Sequence, residues 1–135
     1  MEMSRVLVDT SAYSAFMQGD PAIKAALQQA GQLYLNAVVL GELLAGVAGG
    51  TRPDRNRKEL GAFLSSPRIE VLQLGDETAE RYAAIFAFLR RQGTPIPTND
   101  IWIAASAMEH GLSVLTRDPH FKKVPQVIVK GFEMQ

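Results

Sequence analysis

The chain reads as an α/β domain with a mainly parallel central sheet covered by helices. Three observations carry that reading. Short apolar strand-like runs alternate with helix-like segments from end to end. The first run, SRVLVD (4–9), is apolar at consecutive positions, as a strand buried on both faces must be. The length, 135 residues, lets roughly two thirds of the unfolded surface be buried, so a core can form without staples. One domain over residues 1–135 is the expectation.

The elements follow in order. SRVLVD is a strand ending at Asp9. TSAYSAFMQG and DPAIKAALQQAG are two helices, the second with Asp20 as N-cap, Pro21 at its first position and Gly31 as C-cap. QLYLN (32–36) is a second strand, and AVVLGELLAGVAGG (37–50) is an apolar helix stopped by a Gly pair. RPDRNRKELGAFLSS (52–66) is a helix with a polar start, and RIEVLQL (68–74) alternates as a strand does. DETAERYAAIFAFLRRQG (76–93) is an amphipathic helix, acidic at its start and basic at its end, which suits the helix dipole. After a TPIP connector come a helix over 98–110, a strand over 112–116 and a last strand, QVIVK (126–130).

Composition narrows the function classes. Fourteen Lys and Arg balance fourteen Asp and Glu, which argues against nucleic-acid binding by bulk charge alone. Cysteine is absent, so disulfides and thiolate zinc sites are excluded, and a reducing compartment such as the cytoplasm is compatible. The opening MEMSRVLVDTS does not read as a secretory leader, and no apolar run reaches the roughly 20 residues a bilayer span needs, so no membrane association is expected.

The acids carry the chemistry. In a parallel α/β unit each helix starts near the carboxyl edge where the preceding strand ended. Asp9 ends a strand, Glu42 and Asp100 lie in the first turns of helices, and Asp118 follows a strand. All four are expected at that one edge, where open α/β sheets bind ligands. At about 5 Å and an effective dielectric near 20, each carboxylate pair costs about 3 kcal/mol. Raised pKa values relieve part of this; a hard divalent cation relieves it better. Each acid also has a plainer role: Asp9 as a helix cap, Asp100 as a dipole-favoured acid, Asp118 in an Asp-Pro turn. Glu42 is the hardest to place this way, being the single charge between Asn36 and Gly50, with Arg52 or Arg117 as its conceivable structural partner.

Taken in order, VLVDTSAY, NAVVLGELLAGV, PIPTNDIWIAASAMEHG and LSVLTRDPHF resemble the PIN-domain ribonucleases, and more closely the VapC toxins of bacterial and archaeal toxin–antitoxin pairs. The blocks cover nearly the whole chain. The resemblance implies a PIN-like three-layer α/β/α domain. By motif it makes Asp9 and Asp100 core metal ligands, with Glu42 and Asp118 completing the site directly or through water. Thr116 matches a hydroxyl that borders the site, Asn99 stands beside Asp100 in the usual pair, and Ser11 assists through its hydroxyl. The implied cofactor is Mg²⁺, with Mn²⁺ as a substitute. The implied reaction is endonucleolytic hydrolysis of RNA by a metal-activated water, leaving 5′-phosphate and 3′-hydroxyl ends. The implied partners are an RNA substrate, a cognate VapB antitoxin that covers the cleft, and a second copy in a homodimer.

Secondary features divide between guidance and packing. Arg52, Arg55, Arg57 and Lys58 form one basic group, and Arg117, His120, Lys122 and Lys123 another; Arg117 is the strongest candidate for a phosphate contact. Trp102, Tyr82, Phe86 and Leu89 read as core or dimer contacts, and His110 as a helix-end feature before Gly111. Two rivals share the pattern: a housekeeping PIN nuclease, and a non-catalytic binding module whose acids serve as caps.

Overall fold

The computed structural model describes residues 4–130. The strands are β1 (Arg5–Val8), β2 (Gln32–Asn36), β3 (Ile69–Leu72), β4 (Ser113–Leu115) and β5 (Val129–Lys130). The helices are α1 (Thr10–Met17), α2 (Pro21–Gln29), α3 (Ala37–Gly49), α4 (Pro53–Leu64), α5 (Asp76–Gln92) and α6 (Thr98–His110). The strands form one sheet in the order β3-β2-β1-β4-β5, with every pairing parallel. The expected parallel α/β architecture is therefore what forms.

β1 lies in the middle because its VLV run can face helices on both sides: Val6, Leu7 and Val8 are all buried. From β1 the chain builds outward through β2 and β3, then returns and builds the other way through β4 and β5. The boundary between β1 and β4 is thus the point where the strand order reverses. Crevices at such points, outside the carboxyl ends of the strands, are where open α/β sheets bind ligands. The backbone closes this boundary tightly, with Val8 opposite Leu115 and the Asp9 amide donating to the Leu115 carbonyl at 3.1 Å.

Local chemistry sets most helix ends as expected. The Asp20 carboxylate accepts from the Ala22 and Ile23 amides, and Pro21 opens α2. Gly93 and Gly111 close α5 and α6 in the left-handed conformation (φ 70° and 67°) that a side chain resists. One end differs. Ala30, not Gly31, closes α2, because the Arg68 guanidinium reaches across to bind the Leu27 and Ala30 carbonyls. The sequence also hides a 3₁₀ turn over Pro119–Lys123, capped by Asp118, with Phe121 fully buried beneath it. β5 is consequently two residues, shorter than the 126–130 expected, since the chain turns through 125–127 first.

Candidate active site

Asp9 sits where β1 becomes α1 and is 3% exposed. Its Oδ1 accepts from the Ala12 amide and the Ser11 hydroxyl, each at 2.8 Å, and its Oδ2 accepts from the Thr116 hydroxyl. The capping role anticipated for Asp9 is real, and it holds the carboxylate at the switch point rather than removing it from the site. Burial pushes the Asp9 carboxyl up to about 6. Hydrogen bonds from Thr116, Ala12 and Ser11 pull the other way, and the charge of Asp100 adds to the rise.

The hydroxyls of Ser11 and Thr116 tie Asp9 to the segment after β4. Thr116 Oγ1 accepts from the Asp118 amide at 2.8 Å, and Ser11 Oγ from the Arg117 amide at 2.9 Å. Asp118 Oδ1 accepts from the His120 amide at 2.9 Å. Asp100, in the first turn of α6, faces the same turn: its Oδ2 lies 2.9 Å from His120 Nδ1, which is also 2.9 Å from Asp118 Oδ1. Burial holds the Asp100 carboxyl above its ordinary value. The His120 hydrogen bond and charge offset this in part, whereas the charges of Asp118 and Glu42 raise it further.

Glu42 joins from α3. Its Oε1 accepts from the Thr10 hydroxyl and its Oε2 from the Asn99 amide at 3.0 Å, so it touches the neighbours of both Asp9 and Asp100. The reasoning that placed Glu42 in a buried apolar helix needs correction. α3 buries only Val39 and Leu43 fully, while Gly41, Ala45 and Ala48 face outward and Glu42 is half-buried. Its polar partners are a hydroxyl and an amide, where Arg52 or Arg117 had been candidates. The Arg117 guanidinium pairs with Asp20 at 2.8 Å, and its amide joins the hydroxyl network through Ser11. Asp9, Glu42, Asp100 and Asp118 are thus gathered at one crevice, with Ser11, Asn99 and Thr116 binding them.

The donor set suits a hard divalent cation. One ligand atom each from Asp100, Asp118 and His120 lies within 4.8 Å of the others, and these are oxygen donors plus one imidazole. Burial, and to a lesser degree the neighbouring carboxylates, hold the Asp9 and Asp100 carboxyls above their ordinary values, a cost that a bound cation would offset. Beside Glu42 a groove of about 450 Å³ runs between α1, α3 and α4, lined by Thr10, Tyr13, Arg52, Arg55 and Asn56.

Two residues of the site escaped the sequence reading. His120 was grouped with the surface bases, because spacing alone cannot show that a 3₁₀ turn swings it inward; Phe121, next to it and wholly buried, was the available signal. Asn36 ends β2 and is 0% exposed. Its Oδ1 caps α3 through the Val39 amide, and its Nδ2 donates to Ser106 Oγ at 2.9 Å and the Trp102 carbonyl at 3.2 Å. It thereby locks the helix carrying Glu42 to the helix carrying Asp100.

A parallel α/β domain that gathers carboxylates at its switch point has the donor chemistry to hold a divalent cation where such sheets bind ligands. The PIN domain model matches residues 6–127, and the chain belongs to the PIN-domain family, within it to the VapC ribonucleases. It is 31% identical to Ribonuclease VapC4 of Mycobacterium tuberculosis over 131 residues, covering 96% of this chain and 98% of that one. It is 34% identical to Ribonuclease VapC1 of Rickettsia felis over 122 residues, 88% of this chain and 90% of that one. Among solved structures, DNA-bound VapBC from Salmonella typhimurium superposes with a TM-score of 0.85 at 26% identity, over 96% of this chain and 98% of that one. Among the described residues no helix is long and apolar enough to cross a membrane.

Proposed function

We propose that the protein is a Mg²⁺-dependent endoribonuclease, also served by Mn²⁺, acting as the toxin of a type II toxin–antitoxin pair. The observation that carries this reading is the convergence of Asp9, Glu42, Asp100 and Asp118 on one crevice at the switch point. Membership of the VapC ribonucleases supplies the reaction class. The VapBC complexes among the structural relatives support a VapB-type antitoxin as partner. The homodimer, the RNA substrate and the cytoplasmic location rest on the family resemblance.

Asp9, Asp100 and Asp118 would hold the cation, with Glu42 at its margin. When bound, such an ion lowers the pKa of a coordinated water and offsets charge on a phosphodiester under attack. The chain's own residues do the rest. Thr116, Ser11 and the Ala12 amide hold Asp9 in one orientation. Thr10 and Asn99 hold Glu42 against the same crevice. Burial raises the Asp9 and Asp100 carboxyls in the metal-free chain, so a cation would bind them in competition with protons. The groove with Arg52, Arg55 and Asn56 offers phosphate-binding groups on one side of Glu42.

The test is expression without an antitoxin, together with RNA cleavage in vitro. Wild type is expected to arrest growth and cut RNA only with Mg²⁺ or Mn²⁺; Asp100→Asn is expected to do neither while remaining folded. Equal toxicity from both forms, or cleavage that survives chelation, contradicts the proposal. A housekeeping nuclease would cleave RNA without arresting growth, and a binding module would do neither.

A further inference from the structure

We infer that His120 is itself a ligand of the divalent cation, through Nδ1, and that it tilts the site toward Mn²⁺ over Mg²⁺. This inference rests on the cation reading above and extends it to a residue outside the four acids. Its basis is position. His120 Nδ1 stands 2.9 Å from Asp100 Oδ2 on α6 and 2.9 Å from Asp118 Oδ1 at the head of the 3₁₀ turn. Two ligands at right angles on an ion with bonds of about 2.1 Å are separated by about 3 Å, so both spacings fit neighbouring vertices of one coordination shell.

The ring is carried there by a built turn rather than by a loose surface side chain. Asp118 caps the turn through the His120 amide, Pro119 sets its first residue, and Phe121 anchors it with no exposure at all. His120 therefore projects toward the carboxylates from a backbone tied into the core. A purely oxygen donor set suits Mg²⁺. An imidazole nitrogen in the shell favours first-row transition ions over Mg²⁺, and Mn²⁺ among them takes carboxylate and water readily.

The experiment uses the full chain stripped of metal and titrated with Mn²⁺. Electron paramagnetic resonance of free Mn²⁺ gives stoichiometry and affinity, Mg²⁺ competition gives the second affinity, and electron spin-echo modulation of bound Mn²⁺ reports a directly bonded nitrogen. The chain has two histidines, so assignment is simple. His110 lies at the far end of α6, beside Glu109 and about 15 Å along the helix from Asp100.

The expected result is nitrogen coupling in wild type and in His110→Gln, absent from His120→Gln. In His120→Gln, Mn²⁺ affinity falls about tenfold or more, in the range that loss of metal-site partners produces, while Mg²⁺ affinity falls far less. Should His120→Gln not fold, ¹⁵N-histidine labelling of wild type and His110→Gln decides, since the coupling must then change isotope in both. Bound Mn²⁺ without nitrogen coupling, or coupling that survives in His120→Gln, overturns the inference and leaves the four-acid site standing. Equal loss of Mn²⁺ and Mg²⁺ affinity also overturns it, because His120 would then only support the carboxylates. Failure of wild type to bind Mn²⁺ at all overturns the cation reading and the inference with it.

Discussion

Replacing Asp9 by Asn should stabilise the metal-free protein at neutral pH, although it removes a residue assigned to the site. Burial raises the Asp9 carboxyl from 3.8 to about 6, which corresponds to about 3 kcal/mol of cost for holding it ionised. A carboxyl raised in the folded protein binds its proton more tightly there than in the unfolded chain. This term therefore supports folding fully below about pH 4 and is lost as pH rises through about 6. Asn keeps the oxygen that accepts from Ser11 and Ala12, but its amide meets the Thr116 hydroxyl, a mismatch of about 1 kcal/mol. The net gain is about 2 kcal/mol near pH 7.5, or about 8 °C in Tm at this chain length.

The assay is thermal unfolding of both proteins in chelator from pH 4 to 8, repeated with Mn²⁺ at pH 7.5. At pH 4 the advantage should vanish and the Asn variant should fall slightly below wild type. With Mn²⁺ at a hundred times its Kd, wild type gains about 2.7 kcal/mol and the variant little, so the order of stability reverses. A variant less stable than wild type at pH 7.5 in chelator, or a difference that does not change with pH, refutes the reasoning.

Three further outcomes follow from the same geometry. Mn²⁺ affinity should fall as pH drops through the Asp9 pKa of about 6, by up to about tenfold per pH unit for each proton displaced, with raised Asp100 steepening the fall; isothermal titration across pH 5–8 checks this. Asn36→Ala should cost about 2–4 kcal/mol, because it deletes the α3 cap and the bonds to Ser106 and Trp102 at a fully buried position; urea unfolding measures it. Phe121→Ala should cost about 3–5 kcal/mol and also weaken Mn²⁺ binding, since the turn placing Asp118 and His120 loses its anchor; retained metal affinity in the destabilised variant would break that link.

How much of this was legible in the sequence depends on the scale of the interaction. The parallel sheet and the positions of Asp9 and Asp100 follow from strand–helix alternation, because chain reversal returns every helix start to the same edge. Asp20, Gly93 and Gly111 announced their helix ends through chemistry local to a few residues. Where partners are remote in sequence, the reading failed or stopped short. Arg68 terminates α2 from 38 residues away, so Gly31 looked like the cap. Arg117 stands next to Asp118, and that its guanidinium also pairs with Asp20 on a distant segment could not be read locally. Glu42 seemed to lie in a buried helix because Gly and Ala count as apolar whether or not anything covers them. His120 looked like one more surface base, because the apolar Phe121 beside it marks an anchored turn but does not say which way the turn aims its polar side chains.

A Mn²⁺-soaked crystal measured at the manganese absorption edge addresses the central assignment most directly. A single cluster of anomalous density bounded by Asp9, Asp100 and Asp118 is the expected outcome, absent from Asp100→Asn crystals treated the same way. Anomalous density found only elsewhere on the surface, or of equal height in the variant, would contradict the assignment of these carboxylates to a metal centre.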